Sequence, residues 1–221
     1  MTAAGAREGP ALGRRALVAS LVAALYVLPN LLLATGAVPA AYRFWVFGVG
    51  MTVPMLEMVV ARWSPQRLGF RADTLAPYLL PYVLFTTILT VGLLVLARLL
   101  GKVPAGHPVD WWSPSLTATI VALSFLQELC FRGYLWQKLN VVSDRVSIKI
   151  LVNALLFSWL HVFYPDPLFS MAITFIAGIG FAAMFNYFPN MWLISASHAV
   201  LNCVSTLYCF LSIGGACPGA G

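Results

Sequence analysis

Seven apolar runs divide the chain, near 16–36, 44–61, 75–97, 115–137, 148–164, 168–188 and 191–213. Each approaches the roughly 20 residues that an α-helix needs to cross a hydrocarbon core. The pattern predicts an all-α fold, a polytopic transmembrane helix bundle of about seven spans. The fifth and sixth runs are separated only by Tyr164-Pro165-Asp166-Pro167, so the count in the second half depends on one short break. The first run follows a short basic segment, as a signal peptide would, but it is long enough to span and lacks a convincing cleavage site, which makes it a retained span. The expected organisation is three N-terminal spans over 1–114, a four-span core over 115–213 and a short tail over 214–221.

Pro29, Pro54, Pro77 and Pro81 fall within or at the start of spans, where each removes a backbone donor and permits a kink. Trp111, Trp112 and Trp192 sit near span ends, where amphipathic rings form an aromatic belt. Gly178 and Gly180 in the sixth run suit close helix packing, within the chain or between copies.

Composition fits the pattern. Of 221 residues, 61% are hydrophobic and 9% charged, with a mean hydropathy of +0.87. Too little polar surface remains to coat a water-soluble globule. Thirteen basic residues against seven acidic give a formal charge of +6, which in a membrane protein reads as a topology signal and not as a nucleic-acid footprint. Ten of the basic residues, Arg7, Arg14, Arg15, Arg62, Arg67, Arg71, Arg132, Lys138, Arg145 and Lys149, belong to one set of alternate loops and span ends, and Arg43, Arg98 and Lys102 to the other. The bias places the N-terminus in the cytoplasm and the C-terminal tail outside, in a multi-pass protein expected in a bacterial inner membrane. Cys130, Cys203, Cys209 and Cys217 show no zinc or redox spacing, and most read as apolar fillers.

Ionisable groups are costly in lipid, so those inside spans mark candidate chemistry. They are Glu57 in the second run, Glu128 and Arg132 in the fourth, His161 near the end of the fifth and His198 in the seventh, accompanied by Gln127, Asn153 and Asn202. Glu128 and Arg132 are four apart and can pair on one helical face, as a structural lock or as part of a site. Asn153, Phe157 and His161 recur at the same spacing, and so do His198 and Asn202. Scattering these groups over lipid-facing surfaces would be expensive, so they are expected to converge on one wet cavity. A base, a bound water and oxyanion donors are what amide hydrolysis requires. Glu57 lies near a span end and can snorkel, and Cys130 lies about 200° around the helix from Glu128, which fits packing and not a thiol nucleophile. A small transporter would need paired ionisable residues along a path and usually repeated halves, and one cluster is present.

Over roughly residues 115–205 the chain resembles the CAAX-protease and bacteriocin-processing (CPBP, Abi-type) family of intramembrane proteases. Gln127-Glu128-Leu-Cys-Phe-Arg132-Gly resembles its EExxxR motif with the FRG continuation, Phe157 to His161 its FxxxH, and His198 to Asn202 its HxxxN. The resemblance implies hydrolysis of a peptide bond in a membrane-associated protein or peptide, of CAAX-processing or C-terminal-tag-processing type. It implies water activation by the first glutamate and His161, an oxyanion hole of His198 and Asn202, and orientation of the glutamate by Arg132. The first glutamate is Gln127 here, and a carboxamide is no base at neutral pH. Three readings stand: Glu128 takes over, sharing an activated water with His161; the base has been removed; or the chain is a non-catalytic scaffold or bacteriocin-immunity-type protein. No cofactor is expected, since no HExxH pair occurs; the less favoured zinc alternative uses Glu128, His161 and His198. Expected partners are the lipid bilayer and the membrane-associated substrate, with no nucleic acid.

Overall fold

The computed structural model describes residues 5–39, 42–102, 114–164 and 166–210, and within these every regular element is helical. Seven helices follow the seven apolar runs in order: α1 (Gly5–Val22 and Leu28–Ala34, joined through a π turn at Ala23–Val27), α2 (Arg43–Val60), α3 (Leu75–Leu99), α4 (Pro114–Val142), α5 (Val146–Trp159), α6 (Pro167–Tyr187) and α7 (Met191–Leu207). In α1, α3, α4 and α6 the apolar stretch is long enough to cross a membrane; α2, α5 and α7 are shorter apolar helices. Large side chains such as Trp45, Val60, Leu99 and Leu168 stand exposed around the bundle, the signature of a lipid-facing surface. The chain is an integral membrane protein. Trp111, Trp112, Cys217 and the tail 214–221 lie outside the described residues.

The prolines act locally. Pro29 cannot supply the N–H that would reach the carbonyl of Leu25, and the π turn of α1 lies immediately before it. Pro54 and Pro81 sit inside α2 and α3. α5 stops at Trp159, short of the predicted 164, and residues 160–164 form a turn closed by the His161 N–H on the Ser158 carbonyl (2.9 Å) and the Tyr164 N–H on the His161 carbonyl (3.2 Å). His161 is therefore a turn residue. α6 then opens on Pro167, with Asp166 capping the Phe169 N–H.

α4 is the central element. It changes to π-helix over Leu129–Leu135, and all seven of those residues are buried. The wider turn needs outside partners for its carbonyls, which in an apolar interior cannot go unpaired. Tyr26 donates its hydroxyl to the Cys130 carbonyl (2.7 Å), and Asn153 donates its amide to the Phe131 carbonyl (2.8 Å). α1 and α5 are thereby pinned to the segment that carries Arg132.

α5 and α6 pack closely because Gly178 has no side chain: a Cβ there would lie 3.1 Å from the Ala154 Cα. A Cβ on Gly180 would lie 2.7 Å from the Phe85 ring of α3. Both glycines thus serve packing within the chain. α7 lies against α3 and α4, and Asn190 fixes its start. The fully buried Asn190 accepts the N–H groups of Trp192 and Leu193 (both 3.1 Å) and donates to the Arg71 carbonyl (2.7 Å) and the Thr74 hydroxyl (2.9 Å). Met191 N–H bonds the carbonyl of Gly69 (2.8 Å), whose φ of +88° suits glycine. The loop before α3 and the start of α7 are one clamped unit.

Asn190→Ala removes a cap and leaves buried groups unpaired, so it is expected to cost roughly 1–3 kcal/mol. Thermal unfolding in detergent should show a lowered Tm, with Asn190→Asp, which retains the cap but not the donors, in between. An unchanged Tm for Asn190→Ala would remove the clamp from this account.

Candidate active site

Glu128 closes the α-helical part of α4, and Arg132 lies four residues on, inside the π segment. Both side chains are 0% exposed. Arg132 Nη1 donates to Glu128 Oε1 (3.0 Å), and Nη2 reaches the Gly178 carbonyl (3.4 Å). The guanidinium also stands 4.7 Å above the Phe157 ring and 5.3 Å above that of Phe181. A charge so enclosed is tolerable only when paired, and the aromatic faces add to the pairing.

His198 completes the cluster. Its Nδ1 lies 2.7 Å from Glu128 Oε1, so the ring donates from Nδ1 to the carboxylate and offers Nε2 on its other edge. Phe181 (4.9 Å) and Phe157 (5.5 Å) hold the imidazole in place. His161 is arranged in parallel fashion: Nδ1 lies 3.1 Å from the Phe157 carbonyl, which can only accept, and Nε2 is again the nitrogen left over. The rings of Phe157 (5.3 Å) and Tyr164 (5.4 Å) enclose it. Glu128 carries one negative charge and Arg132 one positive, so the cluster is balanced with His198 neutral. Both histidines then present an acceptor.

His161, His198 and Asn202 line a common cavity of about 420 Å³ whose remaining wall is mostly apolar, from Leu89, Leu93 and Leu96 of α3 to Ile173 and Ala177 of α6, with Thr174 and Ser205 as its other polar members. Asn202 lies one turn beyond His198 and donates from Nδ2 to the Ser124 hydroxyl (2.9 Å), which itself donates to the Ile120 carbonyl (2.7 Å). Because that hydroxyl proton is committed, Ser124 can only accept. The carboxamide is thus turned with its amino group toward α4, leaving a second N–H for a ligand.

Glu128 does not border the cavity. Its hydrogen bonds run to Arg132 and to His198, and His198 is the member of that group that reaches the cavity. Gln127 is half-buried on the same helix and is likewise not part of the wall. Asn153 supports the π segment as described. Glu57 bonds Tyr134 (2.6 Å) and Lys138 at the far end of α2, a lock well removed from the cavity. Cys130 is a buried free thiol in the core, Cys203 is also free, and Cys209 is disulfide-bonded.

For zinc, the fit is poor. Glu128 Oε1 is engaged by Arg132 and His198 and the carboxylate does not line the cavity, so of Glu128, His161 and His198 only the two imidazoles border it; among the described residues no group of three or more His, Cys, Asp or Glu side chains could hold a metal ion. Ser124 belongs to none of the three motifs. The stripe Ile120, Ser124, Glu128 at four-residue spacing puts this small polar residue one turn ahead of the carboxylate.

Residues 109–204, somewhat less than half of the chain, match the family described as Type II CAAX prenyl endopeptidase Rce1-like. That bears out the resemblance carried by the three motifs, over nearly the same segment. No curated protein and no solved structure matches the chain.

Arg132→Met alone leaves a carboxylate buried without its counter-charge and is expected to cost roughly 3–5 kcal/mol. Adding Glu128→Gln should recover most of that loss in Tm or in folded yield. Two additive losses would contradict the pairing as the reason both charges are tolerated.

Proposed function

Starting from a segment that matches the CAAX prenyl endopeptidases, we propose that this chain is an intramembrane endopeptidase hydrolysing a peptide bond of a membrane-associated protein, of CAAX-processing or C-terminal-tag-processing type. The observation that carries the reading is the placement of His161, His198 and Asn202, the polar members of two motifs, around one apolar cavity with Glu128 and Arg132 packed behind. Such a cavity offers a water two imidazole acceptors against an otherwise mostly apolar wall.

In the proposed mechanism a water donates its hydrogens to Nε2 of His161 and of His198. His198 takes the proton, because the Glu128 carboxylate on its opposite nitrogen stabilises the imidazolium; Glu128 acts through His198 as a positioning residue, much as the aspartate of a serine-protease triad acts through its histidine. The hydroxide attacks the carbonyl carbon, and Asn202 Nδ2 donates to the resulting oxyanion. The imidazolium then protonates the leaving nitrogen as the C–N bond breaks. This differs from the roles implied by the resemblance, where His198 belongs to the oxyanion hole. It requires no carboxylate at position 127 and no metal.

A second reading, a non-catalytic scaffold or immunity-type protein, is favoured by Gln127 alone. Cleavage of tagged membrane-protein reporters by cells carrying the chain as written, Gln127→Glu, Glu128→Gln, His161→Ala or His198→Ala decides between them. The mechanism expects turnover by the chain as written and less than about a tenfold change for Gln127→Glu. It expects kcat losses of roughly 10²–10⁴ for Glu128→Gln, the range found when a triad carboxylate or base is removed. Activity that appears only with Gln127→Glu would assign the base to position 127 and make the natural chain a scaffold.

A further inference from the structure

Building on the endopeptidase reading, we infer that Ser205 is a further substrate-binding residue, whose hydroxyl hydrogen-bonds the backbone of the bound segment at the peptide group two residues from the scissile one. A hydroxyl on an apolar helix commonly bonds back to the carbonyl one turn earlier, which spares it an unpaired burial. Thr52, Ser124 and Thr174 do so, at 2.8, 2.7 and 2.6 Å. Ser205 does not. It is only 5% exposed and lines the cavity, yet within the described residues no hydrogen bond engages its Oγ. The two hydroxyls of the cavity wall therefore differ: Thr174 has committed its proton to the Ser170 carbonyl and can only accept, whereas Ser205 keeps both donor and acceptor for a ligand.

The place of Ser205 on α7 sets the register. Seven residues at about 100° each bring it within about 20° of the face that carries His198, two turns further on, and Asn202 lies between them. The cavity follows this stripe, since its wall also takes Leu89 to Leu99 of α3, roughly 15 Å of helix. That length accommodates about four residues of extended chain. In the proposed mechanism the attacked carbonyl lies between His198 and Asn202, so Ser205 stands about 7.5 Å further along, at 1.5 Å per residue. An extended segment presents the same edge every second residue, about 6.8 Å. What reaches Ser205 is thus a backbone N–H or carbonyl and not a particular side chain. The contact holds the segment extended along α7 and fixes which bond comes to His198, with little demand on sequence.

The full chain in detergent tests this, with the tagged reporter segments of the cleavage assay prepared as peptides in two forms, one cleavable and one with the scissile amide reduced to a methyleneamine. Ser205→Ala is expected to leave Tm unchanged, because no hydrogen bond within the protein is lost, and to weaken binding of the uncleavable form roughly threefold to tenfold, the range of one net hydrogen bond. KM for the cleavable form rises by the same factor with kcat preserved, and Ser205→Thr, which keeps a hydroxyl, recovers affinity. The register is read by replacing the amide two residues from the scissile bond with an ester, on each side in turn; one of the two esters is expected to bind the parent chain and Ser205→Ala alike. Equal binding of the all-amide peptide by both chains overturns the proposal, with a lowered Tm then marking Ser205 as a packing residue. A Ser205→Ala penalty that survives in both esters overturns it as well. A parent chain that binds the uncleavable peptide more tightly than Ser205→Ala but cuts no reporter would uphold the contact and count against the endopeptidase reading, and one that neither binds nor cuts would overturn both.

Discussion

A carboxylate and a guanidinium buried at 0% exposure near the middle of a membrane protein are the constraint around which this fold is arranged. Isolated, either charge would be expelled to the interface or neutralised; together, with His198 on the same carboxylate oxygen and phenylalanine rings around the guanidinium, they form one buried paired unit. Each member lies on a helix that must be held to the position of the others. Gly178 lets α6 approach closely enough for its carbonyl to meet Arg132, the Asn190 clamp sets the start of α7 and hence the height of His198, and Asn153 ties α5 to the π segment.

The π segment deserves its place in that chain of causes. Widening α4 over Leu129–Leu135 exposes carbonyls that Tyr26 and Asn153 must satisfy, and the same seven residues include Arg132. A local departure from α-geometry is thus bound to two neighbouring helices, α1 and α5, and to the charge pair at once. Its outcome is a histidine with one nitrogen committed to a carboxylate and the other turned to a cavity, the arrangement that distinguishes an oriented imidazole from a merely buried one.

Much of this was legible in the sequence because bilayers impose simple rules. The seven apolar runs map in order onto α1 to α7, and the expense of charges in lipid marks Glu57, Glu128, Arg132, His161 and His198, of which Glu57 is bound instead to Tyr134 and Lys138. Four-residue spacing anticipated the Glu128 and Arg132 pair, which forms at 3.0 Å. What spacing along one helix could not carry was the relation between helices. That Glu128 bonds His198 and does not line the cavity, and that Ser124 turns the Asn202 amide, both depend on how α4 and α7 rotate against one another. The early end of α5 at Trp159 was hidden for a similar reason, since the apolar run continues through a turn that only the packed structure closes.

The most direct measurement of the central arrangement is the tautomer of His198, read from the ¹⁵N shifts of the full chain in detergent with His161 assigned by substitution. An Nδ1–H proton held by the Glu128 carboxylate, with Nε2 unprotonated, is the predicted state. A ring protonated at Nε2 and bare at Nδ1 would mean that Glu128 does not hold His198, and the account of the site would fail with it.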